Sequence, residues 1–255
     1  LQYILCTSID KYIKVSDSIC EELTYAICSP LDQPLGLWRG YFLIMTEPTV
    51  KRTSVFFDGQ NLFYAAKEAF GYQYPNYSPN ALARSICTTQ GWRPDEIYFY
   101  TGVPDKNEDP FWNHFWNAKM AVMGTRDIKT YSRSLRYRNK TVTLPDGNQS
   151  TILVGQEKGI DVRIALDVVR FALDGLYDVA LVFSQDQDLT EAVKDVKKIA
   201  GLQQRWIKIA CAYPDSPTRI NKRGIDGTDW IRINRTTYDS CIDTNDYRPK
   251  QNRQP

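Results

Sequence analysis

At 255 residues and 42% apolar composition, the chain can bury a sizeable core, as one large domain or one domain with appendages. A net charge of +2 neither demands nor excludes a polyanionic partner, and no apolar run approaches the ~20 residues of a membrane helix. Six scattered cysteines without a C-x-x-C pair, and a single histidine (His114), argue against a zinc site and a disulfide-stapled fold, so a reduced, cytoplasmic protein is expected.

Residues 1–44 differ from the rest of the chain. They hold three of the six cysteines and five acidic residues against three basic ones, and the first methionine is Met45. One reading makes 1–44 an extension, disordered or upstream of a natural start near Met45; the other makes it a small helical appendage around Ile19–Ile27. The folded domain is then expected over 45–246. The polar segment 247–255, with two prolines, is expected to be a disordered tail.

From Thr53 onward, strand and helix patterns alternate. Ser54–Phe57 reads as a short strand ending in Asp58-Gly59, and Leu62 to Phe70 has helical spacing. Glu96–Tyr100 is a second strand, Phe111 to Met123 a helix, and Asp127 to Tyr131 a third strand. Tyr137–Leu144 and Ser150–Val154 flank Pro145-Asp146-Gly147-Asn148, which predicts a hairpin. Ile160 to Leu173 is an amphipathic helix, Asp178 to Phe183 a buried strand, and Leu189 to Ile199 a helix. Gln204 to Cys211 and Trp230 to Ile233 complete the strands. Alternating units of this kind predict a three-layer α/β fold with a mainly parallel sheet.

Function in such sheets collects beyond the carboxyl ends of the strands. Asp58 ends the first strand, Asp161 opens a helix in Glu157-Lys158-Gly159-Ile160-Asp161, and Asp186 and Asp188 follow Val179–Phe183. If the first and fourth strands are neighbours, these carboxylates meet. Clustered carboxylates repel, and a hard divalent cation relieves that repulsion without any histidine. Asn61 could then orient a carboxylate, a water or a phosphate.

Each residue also has a structural explanation. Asp58-Gly59 is a common turn, Asp161 complements a helix N-terminus, and Asp188 with Glu191 has the form of a capping box. Asp167 lies mid-helix, where a salt bridge with Arg163 or Arg170 would account for it. The joint placement of the acidic residues along one sheet edge is what favours a metal site.

The trio Asp58-Gly59-Gln60-Asn61, Lys158-Gly159-Ile160-Asp161 with Asp167, and Ser184-Gln185-Asp186-Gln187-Asp188-Leu189 resembles the NYN domains of the PIN-like nuclease superfamily, the LabA-like branch most closely. The resemblance spans roughly 54–202, and Thr228-Asp229-Trp230-Ile231 is similar to a closing element of the family. It implies a three-layer PIN-like (Rossmannoid) fold with an inserted hairpin. It also implies a ribonuclease dependent on Mg2+ or Mn2+, leaving 5′-phosphate and 3′-hydroxyl ends. Carried over, the ligands or their organisers are Asp58, Asp161, Asp186 and Asp188, with Asn61 and Ser184 as polar support and Asp167 as a lesser candidate. Gln185 stands where the family has glycine, and Leu189 where it has phenylalanine.

Arg133, Arg136, Arg138 and Lys140, interleaved with Tyr131 and Tyr137, suit phosphates and unpaired bases of RNA, or simply form a solvated hairpin face. Arg219, Lys222 and Arg223 share that ambiguity. The aromatic run Phe111–Trp116 has core-facing spacing, and His114 falls among polar positions. RNA is the expected partner, a membrane is not, and a homo-oligomer is left open. A non-catalytic RNA-binding or regulatory module on the same fold is the alternative function. A phosphatase is disfavoured because no Asp-x-Asp acceptor follows the first strand.

Overall fold

The computed structural model describes residues 3–5, 12–14, 43–143 and 148–250. The backbone of β1 (Tyr3–Leu5), β2 (Tyr12–Lys14) and β3 (Leu43–Met45) pairs into a small antiparallel sheet of order β2-β1-β3. The appendage helix expected around 19–27 lies outside the described residues.

The central sheet has six strands: β4 (Arg52–Asp58), β5 (Arg93–Val103), β6 (Ile128–Ser134), β9 (Val179–Phe183), β10 (Lys208–Pro214) and β11 (Asp229–Ile233). Their order is β11-β10-β9-β4-β5-β6, and every pairing is parallel. Buried on both faces, β9 and the Val55–Phe57 stretch of β4 read as continuous apolar runs instead of alternating ones. Val55 and Phe57 face one core layer while Phe56, between them, faces the other.

Helices α1 (Gly59–Phe70), α2 (Pro79–Gln90) and α3 (Pro110–Gly124) cover the first layer; α4 (Ile160–Leu173) and α5 (Thr190–Leu202) cover the second. Helix α2 has no counterpart among the sequence expectations, although its boundaries follow capping chemistry. Ser78 accepts the Ala81 N–H ahead of Pro79, and Gly91 ends the helix at φ 68°. The short α6 (Arg235–Asp239) closes the chain against α1, through rings at Phe70 and Tyr238.

β7 (Arg136–Thr143) and β8 (Gln149–Gln156) form the predicted hairpin as a separate two-stranded sheet, in register from Arg136↔Gln156 to Thr143↔Gln149. Pro145 to Gly147 of its turn lie outside the described residues. Tyr247 places an aromatic ring at the head of the segment expected to be a disordered tail. That ring is buried against Phe115 and beneath the Lys119 ammonium, and its hydroxyl donates to Asp243 at 2.7 Å.

The strand order fixes where a site can form. From β4 the chain winds outward through β5 and β6, then returns to the other side of β4 as β9 and continues to β10 and β11. The switch point is therefore the crevice beyond the carboxyl ends of β4 and β9, which opens because the connections leave in opposite directions there.

Candidate active site

Asp58 is the last residue of β4 and also the N-cap of α1, its Oδ1 accepting the Asn61 N–H at 3.1 Å. A side chain at Gly59 would meet Phe99 at 2.5 Å and the Tyr100 carbonyl at 3.0 Å, so close packing against β5 requires glycine in this turn. The other carboxylate oxygen of Asp58 accepts the Ser184 hydroxyl at 3.2 Å, across the crevice from β9. Ser184 Oγ in turn accepts the Asp186 N–H at 3.1 Å. The Asn61 side-chain oxygen accepts the Gln185 N–H at 3.0 Å, so Asn61 holds the β9 turn by its backbone.

The capping expected of Asp188 belongs to Asp186. A three-residue 3-10 turn, Gln187–Leu189, intervenes before α5, and Asp186 Oδ1 accepts the Asp188 N–H at 3.0 Å. Leu189 then occupies the N-cap of α5, and Glu191 pairs with Lys194 instead of closing a capping box. Asp188 is left exposed. It joins Asp161 and Asp186 in a group whose carboxylate oxygens all lie within 4.8 Å of one another. Each offers a carboxylate oxygen, the donor type that a hard divalent cation takes.

Asp161 reaches the group from the first turn of α4. Ahead of it Gly159 adopts φ 76°, and a side chain there would sit 2.5 Å from the Arg133 guanidinium. The positive φ selects glycine in Lys158-Gly159-Ile160-Asp161, whereas the guanidinium could swing aside. Arg133 itself donates to the Tyr131 hydroxyl at 2.8 Å and lies beside Gly159. Arg136, Arg138 and Lys140 are exposed on one face of β7.

Asp58 stands outside the close trio but is coupled to it. Burial pushes its carboxyl up to about 6, opposed by the hydrogen bonds from Asn61 and Ser184 and reinforced by the charges of Asp186 and Asp161. Glu157 is a site residue that sequence reasoning does not assign. Burial pushes it up to about 7, with Asp58 and Asp161 adding to the rise. Its Oε2 accepts the Gly102 N–H at the end of β5, in space that opens because Gly102 has no side chain. Its signal in sequence is its place directly after a strand and four residues before Asp161.

Asp167 is buried away from the cluster, accepting Tyr100 Oη–H at 2.9 Å and Arg163 Nε–H at 2.8 Å. The intrahelical salt bridge accounts for it, through Arg163 and not Arg170. Arg219 also leaves the candidate RNA surface: it is buried, bonded to Glu68 and to the Pro214 carbonyl. Arg223 is paired with Asp226. Phe115 and Trp116 enter the core as their spacing predicted, and His114 is exposed.

The model of the NYN domain matches residues 52–203, more than half of the chain and all of the elements that build this cluster. The chain belongs to the NYN domain family. That family is part of a nuclease-type superfamily, which agrees with an acidic cluster at the switch point of a parallel sheet. Among solved structures, the chain is similar to a protein of unknown function, VPA0982, from Vibrio parahaemolyticus RIMD 2210633. The two are 17% identical, with 78% of this chain and 99% of that one covered at a TM-score of 0.43. No curated protein sequence matches the chain. Among the described residues, no helix is long and apolar enough to cross a membrane.

Proposed function

We propose that this NYN domain, of the LabA-like branch, is a Mg2+- or Mn2+-dependent endoribonuclease acting on RNA in the cytoplasm. The observation that carries the proposal is the meeting of Asp161, Asp186 and Asp188 at the switch point, beside a buried Asp58 that has no cationic partner among the described residues. Asp161, Asp186 and Asp188 are the residues that would hold the ion. When bound, it supplies an activated water and stabilises the charge that builds on a phosphodiester.

The chain's own groups prepare the surroundings. Ser184 ties Asp58 to the Asp186 backbone, and Asn61 fixes the amide of Gln185, so the two halves of the site are held in register. Glu157, raised to about 7 chiefly by burial, accepts the Gly102 N–H through Oε2 and faces Asp58 and Asp161. Arg133, beside Gly159, and Arg136, Arg138 and Lys140 on the hairpin bind the phosphate backbone.

The test compares wild type with Asp186→Asn on RNA and DNA substrates, with Mg2+, with Mn2+ and in excess EDTA. Expected is RNA cleavage in either metal that falls at least about 100-fold in the variant and vanishes in EDTA. Equal cleavage by the variant, or cleavage in EDTA, refutes the proposal. Binding of RNA without cleavage in every metal replaces it with the non-catalytic module.

A further inference from the structure

One strand over from the carboxylates, beyond the carboxyl end of β5, lies a cavity of about 430 Å3 between α1, α3 and the hairpin. Its size falls within the roughly 300–1,000 Å3 typical of ligand sites. Gln60, Phe63, Tyr64 and Lys67 line it. Their spacing makes them a single face of α1, running about 10 Å outward from the residue two places after Asp58. Gln60 also joins the two concavities: its amide donates to the Gly102 carbonyl at 3.1 Å, and the Gly102 N–H donates to Glu157.

The lining is mostly polar, and the aromatic side chains set into it are fixed. Trp112 packs against Phe63 at 5.8 Å and Tyr74 at 5.9 Å. The Tyr137 hydroxyl accepts the Asp105 N–H at 3.0 Å, which sets its ring. Tyr64, by contrast, is 59% exposed, and its one ring contact among the described residues is Phe63 at 5.3 Å. Lys67 is exposed and makes no ion pair among the described residues. A large exposed ring, rigid aromatic side chains and a free ammonium match a flat π-system that carries a phosphate.

We propose that this cavity receives an unpaired nucleobase of single-stranded RNA, next to the phosphodiester addressed by the carboxylates, with Tyr64 stacking on the base and Lys67 on its phosphate. The identification of the ligand rests on the nuclease reading of the neighbouring site. Glu108, on the cavity's wall, suits an exocyclic amine and disfavours an aliphatic or lipid occupant. A paired base cannot enter, because its faces are stacked within the duplex.

The experiment uses the full chain in excess EDTA, so that binding is read without cleavage. A mixed-sequence 12-nucleotide RNA is titrated as a single strand and annealed to its complement, following tryptophan fluorescence and Kd. The single strand is expected to quench saturably, and to bind at least about tenfold more tightly than the duplex. Tyr64→Ala should weaken the single strand about tenfold and leave the duplex unchanged, whereas Tyr64→Phe retains affinity. Trp112→Phe should remove most of the quench while keeping the affinity. Equal affinity for both RNAs, or an unaffected Tyr64→Ala, overturns the proposal. Because Tyr64 lies outside the core, its truncation leaves the fold intact, which an unchanged Tm verifies. The arms are separable: cleavage without strand discrimination defeats the pocket alone, and strand-selective binding without cleavage defeats the nuclease reading alone.

Discussion

Two buried aspartates cap opposite ends of the same pair of strands, and the fold treats them differently. At the amino end of β9, Asp178 receives the Arg52 N–H at 2.9 Å, Nε at 3.2 Å and Nη2 at 3.1 Å, a fork of donors that neutralises it. At the carboxyl end of β4, Asp58 is comparably buried but has two hydrogen bonds and, among the described residues, acidic neighbours in place of a cation: Asp186, Asp161 and, nearby, Glu157. A chain that can supply an arginine at one end has not done so at the other. That uncompensated charge at the switch point is what supports the proposal of a cation site there.

The sharpest break of this comparison is a pair of matched substitutions. Asp178→Asn removes the partner of a guanidinium that is itself 39% exposed, so solvent recovers part of the loss, and a destabilisation of roughly 1–3 kcal/mol is expected with cleavage per folded molecule unchanged. Asp58→Asn should do the reverse at pH 8: cleavage falls by about 100-fold or more, while stability rises by roughly 1–3 kcal/mol as a desolvated charge is removed. Denaturant melts and cleavage rates on both variants check this. Destabilisation by Asp58→Asn as large as that by Asp178→Asn would falsify the contrast.

A smaller effect is expected from pH. Asp58 is raised from 3.8 to about 6 and Glu157 from 4.5 to about 7, each chiefly by burial. Between about pH 4 and 7 the folded chain therefore keeps protons that the unfolded chain has released, and stability must fall as pH rises through this window. The contribution is complete below the ordinary values and spent above the raised ones. Metal-free Tm should decline from pH 4.5 to 7.5, less steeply in Asp58→Asn, and added Mn2+ should restore Tm at the upper end. A flat metal-free profile would show that the carboxylates are compensated after all.

One half of this contrast, the acidic carboxyl edge, was legible in the residues; the Arg52–Asp178 pair was not. The apolar runs of β4 and β9 announce strands covered on both faces, and the acidic turns after them give the carboxyl edge. What failed depended on contacts between distant segments. Arg219 reads as part of a basic patch until Glu68, from α1, is seen beside it. Glu157 looks like solvated loop because its burial depends on Gly102 of another strand leaving room. The move of the capping role from Asp188 to Asp186 follows from one 3-10 turn, which intervenes before α5; both carboxylates stay in the group. Helix α2 was hidden because its buried positions, Leu82, Ala83, Ile86 and Cys87, include small residues that weaken the apolar signal.

The finest test concerns Ser184, a side chain that touches both halves of the site through one atom. Its hydroxyl donates to Asp58 Oδ2 and accepts from the Asp186 backbone, so it stabilises the ionised form of Asp58 and counters part of the burial effect. Removing it in Ser184→Ala should raise the Asp58 carboxyl further. If ionised Asp58 is required, the acidic limb of the pH–rate profile then moves upward by about one pH unit or less. Cleavage near pH 6 drops by up to about tenfold, recovers towards pH 8, and returns at both values in Ser184→Thr, which keeps the hydroxyl. A loss equal at all pH values would mean that Ser184 only shapes the turn. A pH-dependent loss would tie the buried carboxylate of β4 to the reaction.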